Sequence, residues 1–220
     1  MEITSNNLVL QGVIEETPAL DHHVFGEGIL RTRIRVKRMS GTDDVLPVLI
    51  PERNLQEGIA KGKRILLQGQ IRTCNMKDDG GNHLRVNAFA QSLSDAADDK
   101  EINSIHLTGT LCREPRYRVT PFGREITDLM LVVNRGYGKN DYIPCIAWGR
   151  NARYVNTLKT GNKLEIQGRF QNRGYVKALP DGKTEERETY EVSISLLKLI
   201  EENHESDQPQ TQEKNEQTEE

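Results

Sequence analysis

The sequence is poor in aromatic and other apolar residues, and it contains few cysteines. Aromatic side chains make up 5% and hydrophobic residues 35% of the 220 residues, while charged residues make up 29%. This composition predicts a small core with a disordered segment rather than one large core. Cys74, Cys112 and Cys145 are widely spaced and form no CxxC pair. A disulfide framework and a zinc ribbon are therefore disfavoured, and a reducing cytoplasm is the expected setting.

Several other signals are missing as well. No apolar run reaches membrane-spanning length, and residues 1–7 lack the basic and apolar regions of a signal peptide. The stretch 136–139 lacks the spacing of a P-loop, and the adjacent His22 and His23 have no third ligand nearby. No Ser/His/Asp or paired-carboxylate arrangement stands out. We therefore expect no enzyme activity, no cofactor and no metal site.

Charge and aromatic residues are unevenly distributed along the chain. Residues 100–200 hold 17 basic and 11 acidic side chains, a net charge of +6, whereas residues 1–99 carry −2 and residues 201–220 carry −7. Nine of the eleven aromatic residues lie between Tyr117 and Tyr190. A basic, aromatic-rich stretch indicates a surface for flat, negatively charged ligands, and the polar, acidic 201–220 segment is predicted to be disordered.

The chain contains an internal duplication. The two halves match at an offset of 97 residues and, after a two-residue insertion, at an offset of 99. Two copies of one domain therefore follow each other along the chain. The first-copy residues that recur are Leu10, Gly12, Pro18, Phe25, Gly26, Ile29, Arg38, Gly41, Asp44, Pro47, Arg53, Asn54, Gly62, Gln68 and Gly69.

Each copy has the element order of an OB-fold, a five-stranded Greek-key barrel. Alternating apolar residues predict three strands, then a short helix and two further strands. The fold class is therefore all-β, with two tandem OB-folds, each carrying a short helix between strands 3 and 4. The predicted parts are a first OB-fold at 1–94, an acidic linker at 95–101, a second OB-fold at 102–200 and a disordered acidic tail at 201–220.

One predicted strand of the second copy carries the clearest binding signal. Period-two geometry places Tyr142 and Trp148, the only tryptophan, on the same face of a strand that ends beside Arg150. Such rings suit base stacking, although they could also be core residues of a small barrel. Phe122 and Phe170 are predicted to lie in the core, and the matching position of Phe25 favours a shared structural role.

The second copy resembles the bacterial single-stranded DNA-binding protein family. The resemblance runs from about Asn103 to Leu199 and rests on the segments 105–109, 134–137, 147–152 and 164–169. It implies that bases stack on four aromatic residues and that basic side chains neutralise phosphates. The expected stacking residues are Tyr137, Tyr142, Trp148 and Tyr175, and the expected basic residues are Arg135, Lys139, Arg150, Arg169 and Arg173.

The first copy lacks this set of rings, since its equivalent positions are Ser40, Val45, Pro51 and Met76. Because stacking contributes about 1–3 kcal/mol per base, we expect the second copy to bind the nucleic acid. We expect the first copy to mediate assembly or to support the second copy. Members of the resembling family build four OB-folds per assembly, which implies a homodimer here. The acidic tail lacks the apolar tip with which that family recruits replication and repair proteins.

The sequence thus predicts a sequence-independent single-stranded DNA-binding protein of the bacterial cytoplasm and nucleoid, acting in replication, recombination or repair. Two alternatives remain open on the residues alone. The degenerate first copy and the unusual tail also suit an adaptor, in which OB-folds dock other proteins as in primosome-type accessory proteins. An RNA-binding OB-fold protein is the other alternative, because stacking does not distinguish the sugars.

Overall fold

The computed structural model describes residues 6–78, 81–136, 138–178, 182 and 184–201. The predicted acidic tail thus lies almost wholly outside the described residues. Within these ranges the first copy forms six strands and a single 3-10 turn, and the second forms six strands and one α-helix. The first-copy elements are β1 Asn6–Ile14, β2 Ala19–Val24, β3 Glu27–Lys37, β4 Asp43–Pro51, the turn Glu52–Asn54, β5 Arg64–Asp78 and β6 Gly81–Asp95. The second-copy elements are β7 Ile102–Leu111, β8 Arg116–Val119, β9 Glu125–Gly136, β10 Lys139–Trp148, α1 Gly149–Val155, β11 Lys163–Ala178 and β12 Thr184–Ile200.

Each copy closes into a barrel as an OB-fold does. Antiparallel ladders join most neighbours, while β4 pairs in parallel with β6 and β10 with β12. Additional pairings of β1 with β3 and of β7 with β9 complete the two barrels. The all-β tandem OB-fold prediction is confirmed, with two differences. A short strand that was not predicted, β2 in the first copy and β8 in the second, precedes the second predicted strand, and the first copy has a 3-10 turn where a helix was predicted.

The long hairpins β5–β6 and β11–β12 bend at repeat-equivalent glycines. The ladder register shifts between Gln68 and Gly69 and between Gln167 and Gly168. A Cβ atom at Gly69 would overlap the carbonyl oxygen of Phe89, and one at Gly168 would overlap that of Ser193. Only glycine fits this close backbone approach, which explains why both glycines recur in the duplicated sequence.

The hairpin tips differ from the sequence prediction. Phe122 is 91% exposed and Phe25 is 103% exposed, so the prediction that Phe122 belongs to the core was wrong. Phe170 is fully buried, as predicted. The reason is the extra hairpin strands: they carry residues 25 and 122 out to turns beyond the barrel wall, where no layer covers them.

The two copies share one continuous sheet because β1 and β7 pair antiparallel. Leu8 pairs with Ile105, and these two residues are equivalents in the 97-residue repeat. A strand that pairs with its own repeat about equivalent residues lies on a local two-fold axis. Leu8 and Ile105 are both buried, so the axis passes through the core.

A buried carboxylate on each side of the axis fastens one copy to the other. In the second copy, Arg135 donates through Nε to Oδ2 of Asp141 at 3.0 Å, and its Nη2 also reaches Oδ1. Asp141 accepts a hydrogen bond from the amide of Thr73 in the first copy at 2.6 Å, and Arg135 Nη2 donates to the Thr73 carbonyl at 3.1 Å. Arg72 of the first copy adds a hydrogen bond of 2.8 Å.

The first copy supplies the symmetric counterpart. Arg38 Nε donates to Oδ2 of Asp44 at 2.8 Å, and Arg38 Nη2 donates to the carbonyl of Asn172 at 3.1 Å. The amide of Asn172 donates to Asp44 Oδ1 at 3.2 Å. Asp44 is 1% and Asp141 0% exposed. We call these two arrangements the inter-copy clasps, and they explain why Arg and Asp recur at these positions in both halves.

None of the helices among the described residues is long and apolar enough to span a membrane.

We predict that Asp141→Asn lowers the free energy of unfolding by about 3–5 kcal/mol at neutral pH, because it leaves Arg72 and Arg135 without their counter-charge. Burial raises the pKa of Asp141, but hydrogen bonds from Arg135, the Thr73 amide and Arg72 outweigh it and hold that pKa below its ordinary value. The stabilisation is therefore present above the unfolded carboxyl pKa, about 3.9, and is lost as the pH falls through the lower folded-state pKa.

Denaturant unfolding of the unsubstituted protein and of Asp141→Asn, from neutral pH down into strong acid, measures the effect. Asp128→Asn is the control, because the Asp128–Arg118 bridge is partly exposed to solvent and should contribute about 1 kcal/mol or less. A destabilisation by Asp141→Asn no larger than that of the control, or one that persists undiminished into strong acid, would contradict the role of the clasp.

Candidate functional site

The first half of strand β10 alternates between buried and more exposed residues, whereas Ile146, on the same face as Tyr142 and Trp148, is fully buried. Asp141, Ile143 and Ala147 are fully buried, whereas Tyr142 is 44% exposed. Trp148, the last residue of the strand, is half-buried. Its indole Nε1 donates to Ser193 Oγ on β12 at 3.2 Å, which fixes the orientation of the ring.

A cleft opens beside Trp148, with a volume of about 340 Å³. It takes residues from both copies, because the β3–β4 turn of the first copy reaches across to the end of β10 and to β11. We call it the Trp148 cleft. Its lining residues are Arg38, Ser40, Arg124, Trp148, Arg169, Gln171, Asn172 and Arg173.

Two of its four arginines are neutralised by carboxylates and two are not. Arg38 is held by Asp44 in a clasp, and Arg173 donates from Nε and Nη2 to the two carboxylate oxygens of Glu191 at 3.0 and 3.1 Å. Among the described residues, the side chain of Arg169 donates only to the neutral Gln171, at 2.9 Å. Arg124 makes no ion pair with any other residue that the structure describes.

The pKa of Arg169 is lowered, because burial and then the nearby charge of Arg38 disfavour its protonated form, while Asp44 opposes them. An arginine remains charged regardless, so the direction of the shift indicates a cation whose charge is incompletely balanced. Arg169 and Arg124 therefore give the Trp148 cleft an excess of positive charge beside a flat indole ring. This combination can bind an anionic group attached to a planar ring.

The duplication provides an internal control for this cleft. At the positions equivalent to Trp148, Arg124, Arg169 and Arg173, the first copy has Pro51, Glu27, Gln70 and Cys74. The same barrel is thus built without the ring and with three fewer arginines, one of them replaced by an acid. The barrel therefore does not require these four second-copy side chains of the Trp148 cleft, and another role must account for them.

A second and larger cleft, of about 520 Å³, lies where β11 and β12 face the β5–β6 hairpin of the first copy. Tyr175 lines it and is 40% exposed. Met130 and Pro144, which pair across β9 and β10, form part of the wall. The first copy contributes Arg31 and Arg85 to this cleft.

The remaining predicted site residues lie elsewhere. Arg135 is committed to Asp141, and the amide of Tyr142 donates to Thr73 Oγ1 at 2.8 Å beside the same clasp. Lys139 and Arg150 are exposed and form no ion pair with the other described residues. Tyr137 lies outside the described residues. The Trp148 cleft thus contains Trp148, Arg169 and Arg173, whereas Tyr175 lines the larger cleft and Tyr142, Lys139 and Arg150 line neither.

Sequence reasoning missed Arg38 and Arg124 as lining residues of the Trp148 cleft. Arg38 belongs to the copy that has no stacking rings, so only the inter-copy packing reveals its position. The signal for Arg124 was present in the duplication, because it replaces Glu27, whose carboxylate pairs with Arg53 in the first copy. A charge reversal between repeat-equivalent positions is the kind of difference that a comparison of the two halves can find.

The alternate arginines of β3, which we call the arginine stripe, form ion pairs with carboxylates of the first copy. Arg31 pairs with Asp21 at 3.7 Å and Arg33 with Glu16 at 3.9 Å. Arg35 pairs with Glu15 at 2.5 Å and with Asp43 at 3.5 Å. Acidic neighbours compensate these three cations, which leaves this stripe of the first copy with little unbalanced positive charge.

No group of three or more His, Cys, Asp or Glu side chains suited to a metal ion occurs in the described ranges.

The second copy matches the sequence model of the single-strand binding protein family over residues 102–200. "Single-stranded DNA-binding protein A" of Bacillus subtilis is 37% identical over 81 residues, which are 34% of this chain and 47% of that protein. The "Single-stranded DNA-binding protein" of Halalkalibacterium halodurans is 36% identical over 81 residues, 34% of this chain and 48% of that protein. The chain thus covers about half the length of these curated relatives.

Among solved structures, the wild-type single-stranded DNA binding protein from Thermus aquaticus superposes with a TM-score of 0.74 at 21% identity. The superposition covers 91% of this chain and 95% of that chain. A deletion mutant of the same protein gives a TM-score of 0.73 and covers 94% of this chain. At this identity the likeness shows the fold, and it extends over both copies.

Proposed function

We propose that this chain binds single-stranded DNA without regard to sequence, because residues 102–200 match the single-strand binding protein family. The proposal includes a role in replication, recombination or repair at the bacterial nucleoid. The observation that supports it best is the Trp148 cleft, in which an indole borders two cations that lack a carboxylate partner.

The chemistry follows from the geometry of that cleft. The Trp148 ring is held by Ser193, so a nucleobase can stack on it with little loss of side-chain freedom. Arg169 and Arg124 would then contact the adjoining phosphate. These interactions use the π-face and the backbone rather than base edges, so every base is accepted. Tyr175 would stack a further base in the larger cleft, and Tyr137, Tyr142, Lys139 and Arg150 remain proposed contacts.

We assign a different role to the first copy. Its counterpart of the Trp148 cleft lacks the ring, and its β3 arginines are paired with carboxylates. Through the clasps it instead places Arg38 at the Trp148 cleft and holds Thr73 against Tyr142. The first copy therefore acts as a support that completes the binding surface of the second.

We predict that the emission of Trp148 is quenched when oligo-dT is added to the full-length protein, since a stacked base contacts the only indole in the chain. The affinity should fall steeply with salt, and log K should decrease against log salt with a slope of about −0.7 per neutralised phosphate. Fluorescence titration at several salt concentrations measures both. Absence of quenching would refute the proposal, and a markedly tighter complex with oligo-rU would point to RNA as the ligand.

We further predict that Arg169→Ala weakens oligo-dT binding and flattens the salt dependence by about 0.7, the share of one phosphate contact. Arg35→Ala is the matched control: it removes the same charge from the first copy, where Glu15 and Asp43 already neutralise the arginine. Both variants keep the two copies joined, which matters because separated halves would expose the β1 and β7 edges. Equal effects of the two substitutions would contradict the division between the copies.

We also infer a homodimer, which would combine four OB-folds in one assembly. The proposal rests on the resemblance to a family whose members build four OB-folds per assembly. Leu196 on β12, 63% exposed beside the exposed Gln167 on β11, is a residue that a second copy could cover. Light scattering of the DNA-free protein should give twice the 25.0 kDa chain mass. A mass of one chain at micromolar concentration would overturn the homodimer while leaving DNA binding untouched.

A further inference from the structure

Two exposed phenylalanines, Phe25 and Phe122, occupy equivalent tips of the β2–β3 and β8–β9 hairpins. A single exposed apolar residue is ordinary on a protein surface, so exposure alone assigns nothing. Three further features single out Phe122: the rigidity of its hairpin, its position beside the Trp148 cleft and the charge around it.

The turn that carries Phe122 is closed by its own hydrogen bonds. The Thr120 amide donates to the Arg124 carbonyl at 2.8 Å, and the Gly123 amide donates to the Thr120 carbonyl at 2.9 Å. The Arg124 amide donates to Thr120 Oγ1 at 3.1 Å. Gly123 supplies the positive φ, 74°, that such a turn needs. The phenyl ring is therefore presented outward from a fixed backbone.

The hairpin leads directly to the Trp148 cleft. Ile126 is the cross-strand partner of Trp148, and Arg124, two residues earlier, lines the cleft. At about 3.3 Å per residue, four residues of extended chain place Phe122 within about 13 Å of Ile126. A strand of nucleic acid that passes over Arg124 would therefore meet the Phe122 ring next.

The equivalent tip in the first copy has paired carboxylates where the second copy has the cation of Arg124. Glu27 stands where Arg124 stands in the second copy and forms an ion pair with Arg53. Asp21, on the preceding strand, pairs with His22. A polyanion gains nothing from approaching these carboxylates, so Phe25 has the same exposure as Phe122 without the attraction for phosphate.

We propose that Phe122 is an additional nucleobase-stacking residue, which receives a base from the DNA strand as it leaves the Trp148 cleft over Arg124, and that Phe25 has no such role. This inference rests on the proposed function, because it extends the same binding surface. It commits the hairpin tip to single-stranded DNA rather than to a protein partner.

Full-length Phe122→Ala and Phe25→Ala test the inference by anisotropy of labelled oligo-dT. Loss of one stacked base weakens binding about five-fold or more, so Phe122→Ala should show that loss with an unchanged salt slope, since phenylalanine contacts no phosphate. Phe25→Ala should remain within about two-fold of the unsubstituted protein. Affinity of Phe122→Ala equal to that of the unsubstituted protein, or equal losses in both variants, would overturn the assignment and leave the tips as candidates for protein docking.

A direct readout places a fluorophore at each tip. Phe122→Trp and Phe25→Trp are each made in a Trp148→Phe background, so that the introduced indole is the only one. Oligo-dT should quench emission from position 122 and not from position 25, and quenching at neither or at both positions would overturn the proposal. Quenching of Trp148 in the unsubstituted protein is measured in parallel. If it occurs while position 122 is silent, only the present inference fails, whereas its absence would remove the proposed function as well.

Discussion

The clasp between a buried aspartate and an arginine, repeated about the local two-fold axis, is the interaction on which the rest of the structure depends. Asp44 and Asp141 are removed from water, and each is satisfied by an arginine of its own copy and by a backbone amide of the other. A buried charge of this kind is costly unless every partner is present, so the arrangement tolerates one relative placement of the copies. The β1–β7 pairing alone would leave that placement less specified.

The two barrels are related by the local two-fold axis that the clasps fix, but the surfaces of the two copies differ. The residues that recur in both halves include those that bend the hairpins, such as Gly69 and Gly168, and those that form the clasps. The residues that differ, such as Trp148 against Pro51 and Arg124 against Glu27, lie on the surface around the clefts. The duplicated scaffold therefore keeps the clasp residues in both copies while the surfaces around the clefts differ.

Much of the fold and part of the candidate site could be predicted from sequence. Period-two alternation placed Tyr142 and Trp148 on the same face of β10, because strand geometry is local. Arg135 shows the limit of such reasoning: its sequence position suited a phosphate contact, yet the guanidinium is held by Asp141 and the Thr73 carbonyl. Phe122 shows the same limit, because its burial depended on whether the chain before β9 forms a hairpin.

The sequence by itself determined the duplication, the all-β tandem architecture and the concentration of rings and positive charge in the second copy. These are properties of spacing and composition, which no folding step can change. Only the tertiary structure decided which arginines are neutralised, that Arg38 of the first copy reaches the Trp148 cleft, and that Phe25 and Phe122 face solvent. The reason is physical: ion pairing and burial depend on distances between residues far apart in the chain, and those distances are set when the two barrels join across β1 and β7.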